Sequence, residues 1–495
     1  MQKTFPRSLG RSLCTFLPVA APWLLLGLLS IVLKTNVLKA NPVWADEIIY
    51  FRSLKTVCEA GWPMAANGTF EATAKLGNFG SAGLVPTLLY APFGFAFGVT
   101  PHTILLCNVF WVSVGMLVFL LLRKPSNKVC LLLTGSLMTY VPFILYCITS
   151  MTEIFSYALI LLYLAFLLTY YEKRSKVSLL FCVLTFALAC LYRSYYGWLA
   201  VPLGLSIGRF RFSRKTLLSL LGLLLFGFVC CLVGECFVST NFNSFLYRLL
   251  HAGDFYTAWR MLLSHVKSNL LDVFSRGECQ PIELFLFAGY AFMMLIMLIG
   301  AFIGKQNENQ KYALRFDLLG MFLLMAALLI TTICLYDLRD WRGFRILAPI
   351  LWMAILYTIS RGDYAASGIS AVIAVVSLIW LLTNPPVGAF ADPDRFTEPV
   401  KNEKLTQAVQ FISISDETDD PFANTVRTDL YNLQFAEELD PRMGIQYGWL
   451  TTDTVEKSHW LVTDYLRCAV TGYVCAADFG DYKVYERVLP EEVTE

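Results

Sequence analysis

Charge is scarce in this sequence. Only 15% of its 495 residues are Asp, Glu, Lys or Arg, where a soluble chain carries about a quarter. The formal net charge is +2, so there is neither a basic field for nucleic acid nor an acidic tail. Histidine is nearly missing as well. His102, His251, His265 and His459 are the full set, and none stands four residues from another, which argues against a zinc site. The fourteen cysteines lack CxxC spacing and fall mostly inside apolar runs, where they act as small hydrophobic residues. Cys58, Cys279, Cys468 and Cys475 lie outside those runs. Cys468 and Cys475 could close a short disulfide loop if the tail is extracytoplasmic. Internal repeats and low-complexity tracts are also absent.

What fills the chain is apolar: 57% of it is hydrophobic. Hydrophobic runs recur near 13–33, 103–122, 129–148, 154–170, 177–191, 196–208, 216–238, 282–303, 316–335, 345–359 and 365–382, about eleven helical spans, two of them short for a bilayer. The first run exceeds a signal peptide's apolar core. Lys34, Thr35 and Asn36 follow it in place of a cleavage pattern, so it reads as a retained anchor. Lys3, Arg7 and Arg11 precede it and place the N-terminus in the cytoplasm by the positive-inside rule. The later basic clusters (123–128, 173–176, 209–215, 305–315 and Arg361) then fall on the same side, provided that residues 83–99 do not cross. That stretch, with two prolines and three glycines, reads as an interfacial or re-entrant helix.

The expected fold class is therefore an all-α polytopic membrane protein with a small α/β extracytoplasmic C-terminal domain. Residues 1–383 form the multi-pass part, with a first outer loop at 34–102 and a second at 239–281. The tail, 384–495, begins at Asn384-Pro385-Pro386 and turns polar; about 110 residues suffice for a small domain. It carries a helical pattern near 401–413 and strand-like runs at 459–463 and 482–488.

Candidate chemistry gathers on the outer side. Asp46 and Glu47 stand in WADEIIYFRSL, which reads as an amphipathic helix resting Ile48, Ile49 and Phe51 on the membrane with its acids in water. A carboxylate there can take a proton from an attacking hydroxyl, or merely favour a helix N-terminus. Glu153 opens the span after ITSMT; Ser150 or Thr152 capping that helix is a structural explanation, and contact with a sugar hydroxyl or a divalent ion is a functional one. Arg193 in LYRSYYGW sits among interfacial aromatics, where it can snorkel or hold a lipid phosphate. The densest cluster is Asp337, Arg339, Asp340, Arg342 and Arg345 in YDLRDWRGFRILAP. Mutual pairing absorbs two of the three arginines; a phosphate clamp for a leaving group accounts for all of them.

These motifs, in this order and on this side, resemble the GT-C superfamily of polyprenyl-phosphate-dependent glycosyltransferases. The chain looks like bacterial relatives of the protein mannosyltransferases and lipid A aminoarabinose transferases. The Asp46-Glu47 pair with Tyr50, the stretch from Gly61 through PTLLYAPFGFAFGVTPHTILLCN, TEIF at 152–155, YRSYYG at 192–197 and RGFRILAP at 342–349 carry the resemblance. It implies Asp46 as catalytic base, Glu47 as an orienting acid, and basic residues of later outer loops as phosphate ligands. The family's His-Pro or Lys-Pro-Pro segment is replaced by Gly77–Gly83, so Lys75, Arg193 and Arg345 are the candidates for that phosphate contact.

The implied activity is inverting transfer of a sugar from a polyprenyl-phosphate donor to a lipid, glycan or protein acceptor, in the cytoplasmic membrane with the site outside. A single displacement inverts the anomeric centre by the logic of inverting glycosidases. A Mg²⁺ or Mn²⁺ requirement stays open, since carboxylates can bind either ion. Three alternatives stand beside it. A transporter or lipid-linked glycan flippase would carry mid-span charges or broken helices in related halves, and Glu235 and Asp317 lie only near span ends. A glycan polymerase or O-antigen ligase would also use lipid-linked sugars. A non-catalytic scaffold would keep the fold alone.

Overall fold

The computed structural model describes residues 7–32, 34, 36–37, 45–59, 61, 64–65, 75–76, 79, 83–209, 213–237, 245–275, 279–303, 315–338, 342–360, 365–383, 410–413, 445–447, 460–463, 472–478 and 483–488. Helices dominate the first 383 residues. In chain order they are α1 (Arg7–Val32), α2 (Ala45–Glu59), α3 (Leu84–Phe97), α4 (Thr103–Arg123), α5 (Asn127–Met138), α6 (Val141–Cys147), α7 (Glu153–Lys173) and α8 (Lys176–Tyr192). A 3₁₀ turn, Ser194–Leu199, leads into α9 (Ala200–Ile207), α10 (Arg214–Glu235), α11 (Phe245–Leu250) and α12 (Phe255–Phe274). The last four are α13 (Pro281–Ile303), α14 (Phe316–Leu335), α15 (Arg342–Ser360) and α16 (Ala365–Thr383).

The chain is a multi-pass membrane protein built from these helices. Each expected hydrophobic run falls on a helix, on the bent pair α5–α6, or on the 3₁₀ turn with α9. Among the described residues, six helices are long and apolar enough to cross a bilayer, or seven if α5 and α6 form one broken span. The two meet at 63°, because Pro142 in the first turn of α6 lacks the N–H that a continuous helix would need there. At 14 residues, α3 is about 21 Å long, too short to cross, which agrees with an interfacial or re-entrant helix.

Burial explains the arrangement. α7 and α15 are the most enclosed of the long helices, while α10 and α13 keep most of their apolar surface outward. Leu217, Leu218, Leu221, Leu225, Phe228 and Leu232 of α10 are all exposed, a surface that only a hydrocarbon solvent tolerates. With lipid outside, the helices associate through close packing at small residues. A methyl group on Gly115 of α4 would sit 3.0 Å from Leu161 Cβ of α7, and one on Gly204 of α9 would sit 3.1 Å from Leu220 Cα of α10. Among the described residues the tightest approach to a backbone atom is at Gly234 of α10, where it would stand 2.5 Å from the Leu191 carbonyl oxygen near the end of α8.

The amphipathic helix α12 belongs to the second long loop. Asp254 caps it, accepting from the Thr257 amide at 2.8 Å and the Thr257 hydroxyl at 2.7 Å. One face exposes Phe255, Trp259, Leu263, Leu270 and Phe274. From the other, Asn269 Nδ2 donates to the Ile333 and Tyr336 carbonyls at 2.8 Å each, satisfying orphan acceptors where α14 ends.

In the tail, β3 (Gln410–Ser413), β4 (Ile445–Tyr447), β5 (Trp460–Thr463), β6 (Tyr473–Asp478) and β7 (Lys483–Arg487) form one sheet, ordered β4-β3-β5-β7-β6. β3 runs parallel to β4 and β5; β7 runs antiparallel to β5 and β6. The strand-like runs at 459–463 and 482–488 coincide with β5 and β7. The helical pattern near 401–413 does not hold at its end: 410–413 is strand, paired on both sides, because ladder bonds outweigh weak local periodicity; 401–409 lie outside the described residues. Cys475 carries a free thiol, and Cys468 lies outside the described residues.

The close approach at Gly234 sets an expected outcome. Gly234→Leu should lower the protein's melting temperature in detergent, by roughly 1–3 kcal/mol of overpacking. Gly27→Ala, which meets nothing within 4 Å, should not lower it, and the better helix former should if anything raise it slightly.

Candidate active site

Four charged side chains from distant parts of the chain meet at one centre. Asp46 stands in the first turn of α2, Glu153 at the first residue of α7, Arg193 just past α8, and Arg345 in the first turn of α15. Arg345 Nη1 donates to Asp46 Oδ2 at 3.1 Å and lies 3.9 Å from Glu153 Oε1. Arg193 Nη2 approaches the same Glu153 oxygen at 3.5 Å. The order acid, cation, acid, cation has no net charge, which is how such groups are tolerated where water is scarce. Glu153 is the most buried, its side chain 5% exposed, whereas Asp46 is 35% exposed. The acids therefore differ: Glu153 is held between two guanidiniums, and Asp46 is partly exposed.

The turn before Glu153 is held by side chains from other elements. The Ser150 amide donates to Glu47 Oε2 at 2.6 Å, and the Ser150 hydroxyl to the Pro101 carbonyl at 2.7 Å. Asn108 Nδ2 donates to the Met151 carbonyl at 2.8 Å, and its own Oδ1 accepts from the Tyr90 hydroxyl at 2.5 Å. Tyr192 donates to the Thr152 carbonyl at 2.8 Å. Neither Ser150 nor Thr152 caps α7 through its side chain, so capping does not account for Glu153. Glu47 is buried, as is Phe51. Hence α2 does not present both acids to water as an amphipathic surface helix would: Glu47 turns inward to position the turn.

Aromatic residues enclose the centre. Arg193 lies over the Tyr192 ring, 5.1 Å from its centroid, a cation–π contact. Tyr146 and Tyr50 are close enough to Arg345 to couple to its charge. Along α15, Pro349 removes the amide that would bond the Arg345 carbonyl, and the Tyr140 hydroxyl donates to the neighbouring Ala348 carbonyl at 2.9 Å.

The predicted site residues thus divide. Asp46, Glu47, Glu153, Arg193 and Arg345 come together. Asp337 lies beside His265 of α12, close enough for their charges to interact. Arg342 opens α15, its side chain outside the described residues, as are Arg339 and Asp340. Lys75 lies in the two-residue strand β2 (Lys75–Leu76), which pairs with β1 (Met64–Ala65) in the first loop. Among the described residues, no three His, Cys, Asp or Glu side chains gather to hold a metal ion. Asp46 and Glu153 instead face a guanidinium between them, so this donor set does not form a Mg²⁺ or Mn²⁺ site by itself. Asn108, Tyr90 and Tyr192 lie within the motifs quoted from the sequence, which assign none of them a role. The one available signal was an asparagine within the apolar run ILLCNVFW.

No family profile matches the chain, and no curated protein matches it. Solved structures do. The chain is similar to the oligosaccharyltransferase of Archaeoglobus fulgidus in its apo form, at 11% identity and a TM-score of 0.43, covering 86% of this chain and 66% of that one. It thus spans just under two thirds of the archaeal protein's length. It is also similar to ArnT from Cupriavidus metallidurans bound to undecaprenyl phosphate, at 11% identity and a TM-score of 0.41, covering 97% and 98% of the two chains. Apo ArnT gives 12% identity and a TM-score of 0.40 over 94% and 98%.

Two outcomes are expected here. Asn108→Leu leaves the Met151 carbonyl and the Tyr90 hydroxyl without their partner, and should cost about 1–3 kcal/mol for each buried group, read as a lower melting temperature. Burial holds the His265 imidazole below the usual histidine value, against the pull of Asp337. Its neutral form therefore favours the folded state, and stability contributed by α12 should fall as pH drops through the window below about 6.5. Protection of amides 255–274 relative to their intrinsic exchange rates at each pH should fall from pH 7.5 to 5.5, and His265→Gln should abolish that fall.

Proposed function

We propose that this chain is an inverting glycosyltransferase that moves a sugar from a polyprenyl-phosphate donor to a hydroxyl acceptor at the outer face of the membrane. The observation that carries this reading is the Asp46–Arg345–Glu153–Arg193 alternation. It offers one partly exposed carboxylate and two guanidiniums at the end of a lipid-exposed helical bundle. A sugar tethered to a polyprenyl phosphate cannot leave the bilayer, so its anomeric carbon stays near that level. Phosphate leaves readily if its charge is held, which suits Arg345 and Arg193. The acceptor hydroxyl needs a base on the opposite face of the sugar, which suits Asp46. Glu47 positions the turn that carries Glu153, and Glu153 keeps the two arginines apart and oriented. Basic residues on alternate connections support the outward orientation. Residues 384–495, in this reading, form a separate extracytoplasmic domain beside the membrane part.

The test compares cell-envelope glycans by mass spectrometry in wild type, a deletion strain, and the deletion complemented with Asp46→Asn at matched protein level. Deletion should remove a defined sugar, and the variant should fail to restore it, with transfer reduced at least about 100-fold. Full restoration by Asp46→Asn would remove Asp46 as base and move the transporter, flippase and scaffold readings ahead. A glycan shortened by whole repeat units would instead indicate a polymerase or ligase.

A further inference from the structure

We propose that Asp46 and the donor's phosphate compete for Arg345, so that the base is released only when the phosphate is in place. This inference rests on the transferase reading above. Arg345 Nη1 is engaged by Asp46 Oδ2 at 3.1 Å and also lies 3.9 Å from Glu153 Oε1. A guanidinium holds phosphate best through two parallel N–H groups, and this edge already serves a carboxylate. Both guanidiniums of the alternation already face carboxylates, and a dianion or diester entering it gains a free cationic edge only if one carboxylate yields. Glu153 is poorly placed to yield, being enclosed and shared by Arg193 at 3.5 Å. Asp46 is well placed, one third exposed and at the start of its helix.

The exchange orders the reaction. The donor's phosphate takes Arg345, and Asp46 turns toward the opening. The acceptor hydroxyl oxygen bonds to the anomeric carbon, and its proton passes to Asp46. The bond from the anomeric carbon to the phosphate oxygen breaks, and its electron pair leaves with the polyprenyl phosphate. When that lipid departs and Asp46 has returned its proton to water, Arg345 recaptures the carboxylate. Base and phosphate clamp thus occupy each other in the absence of donor.

The competition gives a prediction opposite to that for a carboxylate that only abstracts a proton. Equilibrium binding of undecaprenyl phosphate is measured in nanodiscs for the wild type, Asp46→Asn, Arg345→Gln and the double variant, with undecaprenol as the control lacking phosphate. Asp46→Ser serves as a second charge-removing variant in case the amide packs badly. Asp46→Asn, though inactive, should bind the phosphate more tightly by roughly two- to fivefold, about the worth of a partly exposed ion pair. Arg345→Gln should bind weakly, and the double variant should show no gain over it. Unchanged affinity in both Asp46 variants, with binding still lost in Arg345→Gln, would overturn the competition and leave the transferase reading standing. An equal gain in the Arg345→Gln background would also overturn it. Binding of undecaprenyl phosphate no tighter than undecaprenol in every form would overturn both.

Discussion

Ionised groups in a low-dielectric interior must be balanced locally, and that requirement organises the upper end of this bundle. Glu153 begins the enclosed helix α7, and two guanidiniums make its burial tolerable. One comes from the end of α8 and the other from the start of α15, so the acid fixes where those ends sit. Asp46 adds a fourth member from α2. Remove either guanidinium and the enclosed Glu153 carboxylate loses part of its compensation, which is costly where water is scarce. Packing serves the same end. Gly234 lets α10 close onto the Leu191 carbonyl, two residues before Arg193, and so helps set that cation's position.

The polar support around this centre is equally specific. Glu47, Asn108 and Tyr192 each satisfy a different backbone group of the segment Ser150–Thr152. That segment has no secondary structure to satisfy it, and in an apolar surrounding an unpaired amide or carbonyl is expensive. The side chains do there what a helix does elsewhere. A turn anchored in this way is stiff, and Glu153 inherits the stiffness.

The membrane class and nearly every helix were legible in the sequence, because a hydrophobic run some twenty residues long admits few other structures. That 84–97 forms a separate short helix was legible in its prolines and in the glycines around it. Membership of the site was legible in part. Asp46, Glu153, Arg193 and Arg345 stood out as charges at the ends of apolar runs, where a cost demands a reason. Their partners were not legible: nothing local to Asp46 shows that its ion pair lies 299 residues away. The separate duty of Glu47 was hidden because adjacent helical residues point about 100° apart, so a pair that reads as one motif splits into two roles. Strand β3 escaped for a related reason: its pairing partners lie dozens of residues downstream.

That distance between Asp46 and Arg345 bears on how the protein is made. Synthesis and membrane insertion run from the N-terminus, so α2, α7 and α8 are in place well before α15 emerges. Until then Glu153 has only Arg193, and the Asp46–Arg345 pair does not exist. A chain that stops short of α15 therefore carries an unbalanced acid at the mouth of its bundle. Arrival of the fifteenth helix supplies the missing cation, so the charge centre is complete only when that helix has packed.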